Sequence, residues 1–161
     1  NGVLVGSGAP DFLDAPGLAA EPGRFRLETT AERSAPFTLS TKVSVAWEFR
    51  SGHTPEDQVT PLPLAAVRFS PWLDEHNTAP AGRLFVVPVS VPAPSAANRN
   101  RSLSVQVSYD DGATWKAAPV IAGVAVLNHP KGPGFVSLRA KATDVQGNTV
   151  EETVLRAYKI E

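Results

Sequence analysis

The chain has 161 residues, of which 42% are hydrophobic and 19% are charged, a composition typical of globular proteins and not of disordered ones. Its formal net charge is −1 and its basic residues are scattered, which argues against a nucleic-acid partner, because a nucleic-acid groove needs a clustered positive surface. The chain has no Cys, which excludes a disulfide scaffold and a Cys-ligated zinc site. No apolar run approaches the roughly 18 residues of a membrane span. The chain also contains no Met, so we expect a processed or excised fragment of a longer protein.

The first third of the chain predicts an arm followed by a pair of strands. Residues 1–23 contain three spaced prolines, which prevent a long helix or strand, so we interpret this segment as a linker or a surface arm. Apolar and polar residues alternate over 24–31 and 38–50, which is the period of a half-buried strand. Because two strands alone are not stable in water, we expect residues 24–58 to pack as an N-terminal strand pair on the remaining domain.

Residues 59–161 contain seven further segments with strand character, separated by turn signals. We predict strands near 64–69, 83–91, 102–109, 114–120, 124–128, 135–142 and 149–160. No stretch carries a sustained helical period. Short strands with a turn about every ten residues indicate an all-β fold, namely an immunoglobulin-like or fibronectin type III-like antiparallel β-sandwich. We expect the N-terminal strand pair to extend this sandwich.

Two of these strands carry local irregularities. Residues 84–91 are almost wholly apolar, so we expect them to be covered on both faces, and Pro88 indicates an edge or a bulge. In the last strand the apolar phase slips between Val154 and Leu155, where we expect a β-bulge.

Two turns stand out by their residue chemistry. Asp111-Gly112 tolerates positive φ and joins two alternating segments, which predicts a hairpin over 103–116. The second turn spans 144–148, where Gly147 can take the left-handed conformation. We assign structural turn roles to Ser108, Asp110, Gly112, Thr114, Trp115, Asp144, Gly147 and Asn148.

The first turn resembles the Asp-box, a hairpin pattern S-x-D-x-G-x-T-W known from sialidases and many other β-proteins. The resemblance implies that Asp110 and Thr114 bond within the turn and that Trp115 packs beneath it. Sialidases repeat the box several times, whereas this chain has one, so sialidase activity is not implied. Residues 142–148 resemble the last hairpin of bacterial fibronectin type III and immunoglobulin-like modules.

A broader resemblance covers residues 24–161. These residues resemble the C-terminal accessory region of secreted bacterial subtilisin-like serine proteases. The segments that carry the similarity are 41–51, 62–64, 107–115 and 155–158. The nucleophile motif of those enzymes, Gly-Thr-Ser followed by small residues, does not occur here. The resemblance therefore implies a noncatalytic domain of a secreted, extracellular protein, with a protease catalytic domain in cis as its partner and a polypeptide as a possible substrate to dock.

Candidate sites within the chain are few. A hydrolytic triad needs Ser, His and Asp within hydrogen-bond reach, but all three histidines lie in predicted loops, where we expect them to be solvated. We therefore predict no catalytic residue, no cofactor and no metal site. The loop containing Trp72, Asp74, Glu75 and His76 is the best candidate for ligand binding. Its acidic side chains could contact a metal ion or cap their own turn.

Trp72 gives the alternative function. It follows Pro71 in a loop and is the best candidate for an exposed aromatic side chain, on which a sugar ring could stack. The sequence therefore leaves open a carbohydrate-binding β-sandwich with a polysaccharide partner.

Overall fold

The computed structural model describes residues 2–8, 18, 20–55 and 57–161, and within them the regular structure is almost entirely β-strand. The strands are β1 (Gly23–Glu32), β2 (Lys42–Ser51), β3 (Arg68–Phe69), β4 (Thr78–Ala79), β5 (Leu84–Ser90), β6 (Asn100–Ser108), β7 (Lys116–Ala118), β8 (Val120–Ile121), β9 (Val124–Asn128), β10 (Gly134–Asp144) and β11 (Thr149–Ile160). One 3₁₀ turn covers Ala96–Asn98, and the described residues contain no α-helix. Within the predicted linker 1–23, residues 1, 9–17 and 19 lie outside the described residues.

The strands form two sheets. The larger sheet has the order β1-β2-β11-β10-β6-β7, and β4 pairs in parallel with the end of β11. The smaller sheet has the order β3-β5-β9-β8, and all its pairs are antiparallel. This arrangement confirms the predicted all-β class and is that of an immunoglobulin-like or fibronectin type III-like sandwich.

The core lies between the two sheets and follows from the two-residue period of each strand. The inward side chains of β5 and β9, such as Val87 and Leu127, meet those of β6 and β10, such as Val105 and Leu138. Burial of these branched side chains, at about 25 cal/mol per Å² of apolar surface, supplies the main driving force for folding. Tyr158 from β11 is the largest fully buried side chain.

The N-terminal strand pair continues the larger sheet. β1 and β2 pair along their whole length, and β2 pairs with β11 over residues 42–48. The Nε1–H of Trp47 donates a hydrogen bond of 2.6 Å to the carbonyl of Ala65, which fastens the connection before β3 onto β2. The larger sheet therefore extends beyond β3, the neighbouring edge of the smaller sheet.

The predicted coverage of β5 on both faces is wrong. Leu84 is 70% exposed and Val86 is 52% exposed, whereas Val87 is fully buried. Because the small sheet is antiparallel, it packs on the larger sheet through one face, and no described element covers the other. β5 is an interior strand of the smaller sheet, but Pro88 lies opposite Ser70, where the two-residue strand β3 has just ended, so its missing N–H interrupts no bond between β3 and β5.

The β-bulge predicted after Val154 is confirmed. Residues 155–157 of β11 lie opposite the single residue Ser137 of β10. At the centre of the bulge, Arg156 has a φ of 52°, and its N–H donates a hydrogen bond of 3.0 Å to Ser137 Oγ. The slip of the apolar phase in the sequence is thus the slip in register between the two strands.

Some strand boundaries differ from the prediction. The strand predicted over 64–69 is reduced to β3, because a tight bond from Leu64 N–H to the carbonyl of Leu62 turns the preceding chain. The strand predicted over 114–120 is divided into β7 and β8, which lie in different sheets on either side of Pro119. The short strand β4 lies between the strands predicted at 64–69 and 83–91, where no strand is predicted.

Candidate functional site

Three aspartates in three turns use the same device, in which the carboxylate accepts backbone N–H groups that follow it in the chain. In the candidate ligand loop, Asp74 Oδ1 accepts the N–H of His76 at 2.9 Å and that of Thr78 at 2.8 Å. The second bond holds Thr78, the first residue of β4, in position. The carboxylate therefore caps its own turn, which is one of the two roles that the sequence allowed.

The remaining residues of this loop do not converge on a common point. His76 Nδ1 lies 3.8 Å from Glu75 Oε1, but both side chains are mostly exposed. Trp72 is 84% exposed. The loop thus presents a free aromatic face beside a polar turn.

The hairpin at Asp110 is held by a closed set of hydrogen bonds. Asp110 Oδ1 accepts the N–H of Thr114 at 2.8 Å and the hydroxyl of Ser108 at 2.7 Å, while the Thr114 hydroxyl donates to Asp110 Oδ2. Ser108 Oγ in turn accepts the N–H of Gly112 at 2.9 Å. The hydroxyl and backbone donors of Thr114, followed by the Ser108 hydroxyl, lower the pKa of Asp110 to about 2.

Trp115 packs against the inner side of this turn. Gly112 has a φ of +87°, and a Cβ there would lie 3.3 Å from Trp115 Cζ2 and 3.0 Å from Leu155 Cδ2. The guanidinium of Arg139 lies over the indole at 4.1 Å from the ring centroid, a favourable cation–π arrangement. Trp115 is therefore half-buried and packs against Gly112, Leu155 and Arg139.

The turn at Asp144 is the most enclosed of the three. Asp144 is 7% exposed, and its Oδ1 accepts the N–H groups of Gln146 and Asn148, each at 2.8 Å. Its Oδ2 accepts the side-chain amides of Asn98 and Asn148, again each at 2.8 Å. Burial acts to raise the pKa of Asp144, but the hydrogen bonds together outweigh it and hold the pKa below its usual range. Gly147 completes the turn with a φ of +83°.

His129 is a buried residue that the sequence analysis placed in solvent, and that expectation is wrong. The residue is 2% exposed, and its ring is stacked on Phe85 with centroids 4.9 Å apart. Its Nδ1 lies 2.9 Å from the carbonyl of Pro80, which can only accept, so Nδ1 carries the proton and Nε2 accepts from the hydroxyl of Tyr158 at 3.1 Å. Burial lowers the pKa of His129 and raises that of Tyr158.

The sequence contained the signal for this burial. In β9 the inward positions are 125 and 127, so a strict two-residue count places 129 on the same face. The turn signal Asn128-His129-Pro130 masked this continuation.

Glu152 is a second residue that the sequence analysis missed. It lies on the inward face of β11 between Val150 and Val154, and its neighbours across the sheet are Val45 and Ala140. Burial raises the pKa of its carboxyl, and a hydrogen bond from the backbone of Val67 opposes this effect. The count of alternate residues along β11 would have identified it as an acid at an apolar position.

Glu152 lines an open cleft beside β3, which we call the β3 cleft. The cleft has a volume of about 480 Å³, within the range of ligand sites, and its walls include Val67, Phe69, Pro71, Leu138, Glu152 and Val154. It exists because the larger sheet extends past the edge of the smaller one.

Within the residues that the structure describes, no group of three or more His, Cys, Asp or Glu side chains is arranged to hold a metal ion. In the same part of the chain, no helix has the length and apolar character needed to cross a membrane. Comparison of the chain with protein-family models, with curated proteins and with solved structures finds no match.

Proposed function

We propose that this chain is a noncatalytic accessory domain of a secreted bacterial subtilisin-like serine protease. Its role is to stabilise or position the catalytic domain or to dock substrate for it. The resemblance over residues 24–161 supports the assignment of a subtilisin-like protease as the parent protein. The observation that supports the noncatalytic role is that the carboxylates of Asp74, Asp110 and Asp144 accept structural hydrogen bonds within their own turns.

The parent reading frame tests this proposal directly. We expect it to encode a subtilisin-like catalytic domain upstream of this chain. Deletion of the chain should leave turnover of a short chromogenic peptide unchanged, but it should shorten the half-life of the protease on heating or reduce turnover of a protein substrate. A reading frame without a Ser-His-Asp triad would refute the assignment.

The exposed Trp72 favours a second candidate, a carbohydrate-binding module of an extracellular protein. An indole that is 84% exposed beside Pro71 offers an apolar face on which a sugar ring can stack. Affinity electrophoresis against a panel of polysaccharides tests this function. Binding that is lost in Trp72→Ala and kept in Phe37→Ala would support it, since Phe37 is also an exposed aromatic. Migration of the chain that is the same with and without each polysaccharide would exclude this function.

A further inference from the structure

The β3 cleft has a free backbone edge on one side. The N–H of Ser70 donates to the carbonyl of Pro88 at 2.9 Å, so residues 68 and 70 direct their backbone groups toward β5. Because these directions alternate along an antiparallel strand, the N–H and C=O of Phe69 point away from β5 and toward the open side. An extended chain placed there can form ladder bonds with Phe69.

The same side of the cleft carries a single negative charge. The carboxylate of Glu152 is partly buried among apolar neighbours, and it forms no ion pair with any residue that the structure describes. Arg68 also lines the cleft, with an exposed side chain beside Ser90, but it forms no ion pair with Glu152. Burying a carboxylate without a counter-ion is costly, so this position favours a cation from outside.

The remaining walls of the cleft are partly polar, through Ser40, Arg68 and Ser70, and partly apolar. Leu138 and Val154 of the larger sheet form one wall, and Phe69 and Pro71 of the smaller sheet form the other. A strand that pairs with Phe69 would direct alternate side chains toward the larger sheet and toward solvent. The inward side chains would meet the apolar wall and Glu152.

We propose that the β3 cleft binds an extended polypeptide segment that carries a lysine or an arginine. The segment adds to the edge of β3 through the backbone of Phe69, and its cationic side chain contacts the carboxylate of Glu152. Backbone pairing gives affinity and the charge gives register, as in other cases of strand addition. The inference goes beyond the proposed function, because it depends on the cleft and not on which protein carries the domain.

The test uses the whole chain and four blocked pentapeptides. The first has the sequence Thr-Val-Lys-Val-Thr, and in the others arginine, norleucine or glutamate replaces the lysine. We expect the lysine and arginine peptides to shift the amide resonance of Phe69, with weaker binding of the norleucine peptide and the weakest of the glutamate peptide. Binding should be measurable at peptide concentrations up to about 1 mM, the range of a single weak strand contact.

Glu152→Gln separates the charge from the fold, because glutamine keeps an acceptor for the backbone of Val67. We expect it to weaken binding of the lysine peptide by about tenfold, because one charge-assisted contact is lost. Glu151→Gln is the matched control: it removes the same charge from the opposite face of β11, where Glu151 faces Lys141, and should leave binding unchanged.

Three results would overturn the proposal. The first is that no cationic peptide shifts the Phe69 amide. The second is equal binding of the lysine and glutamate peptides by the unmodified chain, a comparison that needs no variant to fold. The third is equal binding by the unmodified chain and Glu152→Gln, which would reduce Glu152 to a cap for the backbone at Val67.

Discussion

The network around Asp144 makes the sharpest prediction about stability, which is the effect of Asp144→Asn. The change keeps the shape of the side chain but replaces one acceptor oxygen with an NH₂ group. The carboxylate accepts four hydrogen bonds, two on each oxygen, so either orientation of the new amide turns a donor toward two donors. At least two bonds to a charged group are lost.

The neighbouring amides cannot turn over to compensate without losing bonds of their own. Asn148 Oδ1 accepts the N–H of Arg50 at 3.1 Å, and Asn98 Oδ1 accepts the hydroxyl of Ser95 at 2.7 Å. A flip of either amide would break that bond. Asn98 and Asn148 are therefore fixed as donors toward position 144 by contacts outside the turn.

The expected cost follows from these contacts. A hydrogen bond to a charged group contributes at least about 1.5 kcal/mol, so the loss of two gives a decrease of about 3 kcal/mol in the free energy of unfolding. For a domain of this size that corresponds to a fall in Tm of roughly 6–12 °C. Denaturant unfolding followed by tryptophan fluorescence should show a lower midpoint with an unchanged m-value.

The pH dependence of the free energy of unfolding provides an independent test of the Asp144 network. The pKa of Asp144 is depressed in the folded state, so its contribution is present above the unfolded value of about 3.9 and is lost as pH falls through the folded pKa. The difference between the unmodified chain and Asp144→Asn should therefore shrink below about pH 4. Asp110→Asn is the control, since its carboxylate is exposed and water can replace the lost partners, so the midpoint should fall less. A loss for Asp144→Asn that is no larger than the loss for Asp110→Asn would refute the reasoning.

Two further predictions concern the small sheet and its aromatic end. Val87→Ala should lower the free energy of unfolding by about 2–3 kcal/mol, because it removes two buried methyl groups and leaves a cavity. Val86→Ala, on the exposed face, should lower it by less than about 1 kcal/mol. Similar losses for the two variants in chemical denaturation would contradict the assigned faces. For His129, burial depresses the folded pKa, so the unfolded state binds more protons and stability should fall as pH drops below about 6.5, by at most about 1.4 kcal/mol per pH unit. His129→Gln should lack this component when Tm is followed between pH 7 and 5, and an unchanged slope would show that other groups cause it.

The fold class could be predicted from the sequence because it depends on local alternation. The period of two along β6 and β10 indicates which side chains are buried, and this information is contained in each strand alone. The bulge after Val154 was predicted for the same reason, since a change of register must change the apolar phase.

The errors arise where neighbouring elements decide the outcome. An apolar run such as 84–91 does not reveal how many faces will be covered, and only the position of β5 in an antiparallel sheet leaves Val86 exposed. The two residues of β4 are too few to carry a period, and they become a strand only because the end of β11 lies beside them. His129 follows the alternation of β9 but lies in a turn motif, and the tertiary contacts with Phe85 and Tyr158 decide its burial.

The carboxylates that accept backbone N–H groups differ in where those donors lie in the chain, and this difference indicates where a ligand could act. Asp74, Asp110 and Asp144 accept N–H groups from within four residues, so the geometry of each turn accounts for the acid, and the side chain of Asn98 adds one bond at Asp144. Glu152 receives its donor from Val67, far away in the chain, and its sheet neighbours are apolar. A turn would lose its shape without its aspartate, whereas β11 would pair equally well with an apolar residue at 152, because side chains do not form the ladder. Accepting the N–H of Val67 gives the acid at this position one role, and the cation that we propose in the cleft beside Phe69 would give it a second.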